Sequence, residues 1–294
     1  MSYKNENMKM IELHENGLDI QFRIRENGVV ELADFSSQEV KKAVMEPKED
    51  ICYPAVEIHR SGTGSLNMHA YKNNINQSSV DFVYENHELK AQAGGKELEI
   101  VMISPEKLKA VYHMRLFDGV PAVQTWTEII NEGSADQGLT YVSSFMYQGI
   151  SRGGEKPYYK KTDIYVPFNS WCCEAQWQKY DAETLNLNGM VVDGFNHQGY
   201  GLNRYCYSGK GTWSTCEYLP MGIAEDRETG ETYIFQIESS GQWLAEYGSA
   251  QGGNLYLALS GATEQEHGWY KNLKPGESFT TVPAGAAVVK GGLN

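Results

Sequence analysis

Residues 114–149 read MRLFDGVPAVQTWTEIINEGSADQGLTYVSSFMYQG, and this stretch decides the fold class. Leu116 and Phe117 close one apolar strand. Asp118-Gly119-Val120-Pro121 then turns the chain, because Gly tolerates positive φ and Pro cannot join a central ladder. Over 122–131 the side chains alternate. Val123, Thr125, Thr127 and Ile129 share one face; Gln124, Trp126, Glu128 and Ile130 share the other. Asn131-Glu132-Gly133-Ser134 turns the chain again, and Leu139, Tyr141, Ser143 and Phe145 resume the period. The pattern predicts consecutive antiparallel strands with one buried face.

The same signals extend in both directions. Upstream, Asn16-Gly17 and Asn27-Gly28 separate alternating runs that include Leu18, Ile20, Phe22 and Ile24, which reads as an opening meander. A polar connector occupies 36–50, a strand surrounds Val56 and Ile58, and 59–74 (HRSGTGSLNMHAYKNN) reads as a long exposed loop. Strands follow over 80–84, 87–92, 98–103 and 108–116. Over 150–220 the alternation weakens while Gly, Tyr, Trp, Asn and Cys accumulate, and 168–178, 194–201 and 208–215 read as loop chemistry. Strands return over 219–225, 231–238, 243–247 and 255–259, and Pro275-Gly276 turns the chain before a last strand at 282–289. Helical periodicity is nearly absent. Short strands at roughly 8–12-residue spacing predict an all-β chain: a large antiparallel two-sheet β-supersandwich spanning 1–294 as one domain.

Composition narrows the function. A chain of 294 residues with 41% hydrophobic content buries a sizeable core. Its net charge of −13 argues against nucleic acid and against an anionic membrane surface, both of which require excess Lys and Arg. The first ten residues are polar, and no apolar run approaches the roughly 20 residues of a membrane helix, so a cytoplasmic protein is expected. Five Cys with no C-x-x-C pair disfavour zinc or disulfide frameworks and predict reduced, mostly buried thiols. Neighbouring Cys172 and Cys173 point to opposite faces of a strand, as two separate packing thiols.

Few motifs carry chemistry. Ser208-Gly209-Lys210-Gly211-Thr212 lacks phosphate-loop spacing, and Lys179-Tyr180-Asp181 reads as a charged turn. The seven His form no H-x-H or H-x-x-x-H pair, so neither a metal site nor a cofactor is expected. His59, His69 and His197 fall in loops, where a hydrogen-bonding role is favoured over acid–base work. Trp171, Trp177, Trp213 and Trp269 lie among Asn, Gln, Asp and Glu. Saccharide sites use this mixture, stacking a sugar's apolar face on an aromatic ring, and ordinary burial of amphipathic Trp uses it equally.

Three segments in order resemble the N-terminal domain of the α-galactosidase family that includes raffinose-type enzymes, glycoside hydrolase family 36. They are 118–133 (DGVPAVQTWTEIINEG), 221–248 (MGIAEDRETGETYIFQIESSGQWLAEYG) and 273–284 (LKPGESFTTVPA). The resemblance implies a galactose mutarotase-like β-supersandwich preceding a catalytic (β/α)₈ barrel in a retaining enzyme, whose two catalytic carboxylates lie on the barrel. No alternating strand–helix pattern is present here, so no catalytic residue carries over to this chain. The resemblance therefore implies a noncatalytic domain, inactive alone. Its parent enzyme would hydrolyse terminal α-galactosides, and its partners would be the C-terminal barrel, a galactoside and further copies in a homo-oligomer. Many family members carry a Gly-Asp-Phe-Arg-like loop that reaches a neighbouring active site. Here 64–72 reads GSLNMHAYK, which lacks that Asp and Arg and offers Asn67, His69 and Tyr71 instead. With Trp171 and Trp213 these are the candidate substrate-binding residues. Two rivals stand beside this reading: a mutarotase-like sugar epimerase using His59, His69 or His197 with a carboxylate, and a stand-alone carbohydrate-binding module.

Overall fold

The fold begins with the turn the sequence marks most strongly. Asn16 and Gly17 both take positive φ, 57° and 83°, and pair β1 (Lys9–Glu15) with β2 (Leu18–Ile24). With β3 (Val30–Ser37) they form a three-stranded sheet. The computed structural model describes residues 8–40, 42–47, 51–64, 72–188, 203–250 and 254–292.

Two larger antiparallel sheets follow. The ten-stranded sheet contains β5 (Val83–Gln92), β6 (Gly95–Ile103), β7 (Leu108–Phe117), β8 (Val120–Asn131), β10 (Thr162–Ser170) and β11 (Cys173–Asp181). It also contains β13 (Met221–Asp226), β14 (Glu231–Ile237), β18 (Ser278–Thr280) and β19 (Ala284–Lys290). The spatial order is β11-β10-β13-β14-β19-β8-β7-β6-β5, with β18 alongside β8. The six-stranded sheet runs β12 (Arg204–Gly209), β15 (Trp243–Ala250), β16 (Asn254–Ser260), β9 (Gln137–Ile150), β17 (Lys271–Leu273), and β4 (Ile58–Arg60) also pairs with β9. Two one-turn helices, α1 (Gln77–Val80) and α2 (Glu264–His267), and a 3-10 turn over Tyr158–Lys160 complete the described elements, and no described helix is long and apolar enough to cross a membrane.

The alternation read over 122–131 is realised side chain by side chain: Val123, Thr125, Thr127 and Ile129 are buried, and their neighbours are only partly covered. Gly119, at φ 72°, makes the β7–β8 turn. Pro121 enters a central strand at the point where the register shifts between Leu116 and Phe117, so the ladder absorbs its missing N–H in a bulge. Strand β9 is buried on both faces over 141–150: Phe145 and Tyr147 pack on Phe35 of β3, and Met146 joins a second cluster with Met45, Tyr53, Ile75 and Tyr256. Leu18, Ile20, Leu98, Tyr112, Ile129, Phe145 and Leu257, drawn from all three sheets, belong to one continuous buried cluster. Phe22 meets Tyr112 edge-on at 5.9 Å, and Phe35 meets Phe145 at 5.5 Å. This is the antiparallel β-supersandwich predicted from alternation, with the small N-terminal sheet added to its flank.

Three local expectations need correction. The stretch 168–178 is no loop: it is the tip of the β10–β11 hairpin, turned at Trp171 and Cys172, and Lys179, Tyr180 and Asp181 end its second strand rather than form a turn. Cys172, Cys173 and Cys216 are exposed and Cys52 and Cys206 half-buried, because the hairpin tip and the 210–218 loop project from the sheet rather than pack on it. The ends of 59–74 are not an exposed loop. His59 and Arg60 lie on β4, and Lys72, Asn73 and Asn74 are buried, with Asn73 donating to the Glu246 carboxylate and Lys72 to the Ser249 carbonyl.

Candidate functional site

The described surface offers one aromatic platform. Trp171 sits in the two-residue turn of the β10–β11 hairpin and is 80% exposed; Trp213, in the loop after β12, is 53% exposed. Their ring centroids are 6.2 Å apart at 79°, an edge-to-face pair in solvent. Indoles left this exposed are unusual enough to need a reason.

The backbone beneath them is pinned. Trp243, fully buried on β15, donates its indole N–H to the Ser214 carbonyl at 2.7 Å. Gly209 leaves room for that ring, since a Cβ there would fall 2.2 Å from its nitrogen. His267 reaches the Gly209 carbonyl through Nε2 at 3.1 Å and accepts the Thr263 N–H at Nδ1 at 3.1 Å. Those two bonds select the neutral tautomer with the proton on Nε2. Burial accordingly lowers the pKa of His267. Asn169 couples the two loops: its N–H donates to the Glu217 carbonyl, its side-chain NH₂ to the Thr215 carbonyl, and its Oδ1 accepts the Ala175 N–H at 3.0 Å. Asn169 and His267 escaped sequence reading, because nothing local marks a residue whose partners lie 46 and 58 positions away.

A second constellation is buried. Glu246 on β15 has no exposed surface and accepts from Arg204 Nη1 at 2.7 Å, the Tyr256 hydroxyl at 2.5 Å, and the Asn73 N–H and side-chain amide at 2.8 and 2.9 Å. Arg204 continues to Glu266 at 3.0 Å. Lys72 donates to the Ser249 carbonyl at 2.6 Å, and burial lowers its pKa to about 8. Beside this lies the His–carboxylate pair that an epimerase reading seeks. His59 Nε2 is 3.7 Å from Glu57, and its ring lies on Tyr141 at 4.7 Å. Both members are buried, and Glu57 already takes the N–H groups of Ile75 and Asn76 and the Ser79 hydroxyl. A substrate hydroxyl would have to displace these donors and the segment 72–76 to reach it.

Of the residues predicted to bind substrate, the structure brings Trp171 and Trp213 together. Asn67, His69 and Tyr71, like His197, lie outside the described residues. Trp177 is partly exposed on β11, and Trp269 packs on Phe279 at 5.1 Å beside a cavity of about 220 Å³ lined also by Gln242 and Val282. Glu97, Glu99 and His113 place potential metal-ligand atoms within 4.8 Å of one another on β6 and β7. Lys90 already meets Glu99 at 2.5 Å and Gln92 meets Glu97 at 2.6 Å, so the pair of carboxylates is matched by protein donors.

No protein-family model and no curated protein sequence matches this chain. Solved structures do. A GH36 α-galactosidase from Geobacillus stearothermophilus superposes with a TM-score of 0.69 at 14% identity, over 97% of this chain and 41% of that one. An α-galactosidase from Lactobacillus brevis gives 0.68 at 14% identity, over 99% and 41%. A putative aldose 1-epimerase from Escherichia coli K12 gives 0.50 at 11% identity, over 97% of this chain and all of that one. The chain thus shares the fold of about two fifths of each galactosidase, and that fold is mutarotase-like.

Proposed function

We propose that this chain is the noncatalytic β-supersandwich domain of an α-galactosidase-like glycoside hydrolase, forming one domain over residues 1–294. The observation that carries the reading is the coverage: nearly all of this chain corresponds to only 41% of two galactosidases. In this role the domain packs on a catalytic barrel, aids self-association and shapes the rim of the galactoside pocket. Trp171 and Trp213 supply the aromatic face at that rim, with Asn67, His69 and Tyr71 as further contacts. The barrel supplies both carboxylates of a retaining mechanism, and this chain supplies none.

The coding region that contains this chain provides the test. It is expected to encode a barrel, and the full gene product is expected to hydrolyse a nitrophenyl α-galactoside. Trp171→Ala and Trp213→Ala in that product should raise KM for galacto-oligosaccharides several-fold with little change in kcat, as lost uniform binding does. A coding region without a barrel would refute the domain reading. Unchanged KM in both variants would remove the rim role. The epimerase-like neighbour keeps a second reading in view, a sugar mutarotase working through His59 and Glu57. The burial of that pair weighs against it.

A further inference from the structure

We infer that β11 is a self-association edge, and that two copies of this chain join by pairing their β11 strands antiparallel about a two-fold axis at Gln178. Strand β11 ends the ten-stranded sheet, and among the described residues no strand pairs with its outer side. Residues 173–179 are exposed on both faces, so this part of β11 is covered by neither sheet. The direction of its free hydrogen-bonding groups follows from β10. The Asn169 N–H and the Pro167 carbonyl bond to Glu217 and Leu219 on the far side, while the Thr162 carbonyl accepts the Ala182 N–H on the near side. Even-numbered β10 residues therefore face β11. Gln176, Gln178 and Tyr180, their register partners, bond inward, and Trp177 and Lys179 direct N–H and C=O outward. Ala175 is excluded, since its N–H is taken by Asn169 Oδ1.

A second β11 centred on Gln178 matches these groups. Trp177 of each copy lies opposite Lys179 of the other, giving four backbone hydrogen bonds, with the two indoles packed on the Lys179 aliphatic stems on one face. Gln178 meets Gln178, and Gln176 meets Tyr180, on the other face. No like charges oppose. Edge strands are commonly guarded by Lys, Pro or a bulge. Here the single Lys is turned back onto its own sheet, 3.1 Å from Asp163 and over the Tyr165 ring, so it leaves the edge open. The inference gives an address to the self-association proposed above, and its test reads mass and linkage rather than galactosidase activity.

Light scattering of the purified chain at about 100 µM is the measurement, since interfaces below about 1,200 Å² are weak. The expected result is a dimer that Trp177→Lys, which sets Lys against Lys, returns to half the mass. Gln178→Cys should form an intermolecular disulfide on mild oxidation, because non-hydrogen-bonded antiparallel partners lie about 4.5 Å apart at Cα, within disulfide range. Gln178→Ser, which retains the five native Cys, should not. A monomer at this concentration overturns the inference. So does a dimer that survives Trp177→Lys with Gln178→Cys unlinked.

Discussion

At Glu246 a carboxylate with no exposed surface collects donors from Arg204, Tyr256 and Asn73; at Trp171 and Trp213 two indoles stand in solvent above a pinned backbone. Each inverts the usual placement of its residue type. The difference lies in what each inversion costs and what remains free afterwards. The buried carboxylate is tolerable only because every donor around it is spoken for, and a group so saturated has nothing left to offer a ligand. The exposed indoles gain nothing from the fold, so their faces remain available. In this sandwich the polar interior is saturated by its own donors, and the exposed indole pair is not.

The buried network carries the largest expected effects. Glu246→Ala should cost about 3–5 kcal/mol, because it strands the Arg204 guanidinium without its main partner. Urea denaturation measures this, and a loss below about 1 kcal/mol would mean that the network is slack. Asn169→Ala should cost about 1–2 kcal/mol, since it removes the bonds that couple the hairpin to the 213 loop. The near-ultraviolet dichroism of the indole pair should fall with it.

A smaller effect is read through pH. His267 in the fold takes its proton below the ordinary 6.5, chiefly because it is buried; Lys210 adds to the lowering, while Glu266 opposes it. Between the two values the unfolded chain holds more protons, so stability is full above pH 6.5 and falls as pH drops through it. His267→Gln should flatten that slope in melts between pH 7.5 and pH 5. The smallest change belongs to the platform. Trp171→Ala and Trp213→Ala should each shift stability by no more than about 0.5 kcal/mol, while abolishing any calorimetric signal with galacto-oligosaccharides. Large losses of stability here would make the indoles structural and erase the contrast.

What the sequence made legible was local. Period-two alternation over 122–131 and the Asn16-Gly17 turn fix which face is buried and where strands reverse, using neighbours a few residues away. The 221–248 segment even contains Glu246, but a carboxylate inside WLAEYG signals only that something polar must cover it. The covering residue, Asn73, is 173 positions distant, so the burial of 72–76 could not be read and the stretch passed for an exposed loop. The hairpin at 171–172 was hidden for another reason. Trp-Cys is not a turn dipeptide, and Cys172 takes a φ of 60° that Gly or Asn would ordinarily occupy. Trp171 and Trp213 were marked by composition as candidates, and their pairing came from Asn169, which no pattern flags.

The noncatalytic role proposed above requires that the chain carry no chemistry of its own. The most direct measurement gives the purified chain a nitrophenyl α-galactoside in one assay and follows freshly dissolved α-galactose by polarimetry in another. The account predicts background rates in both. Hydrolysis above background, or mutarotation accelerated by the wild-type chain and lost in Glu57→Gln, would contradict it.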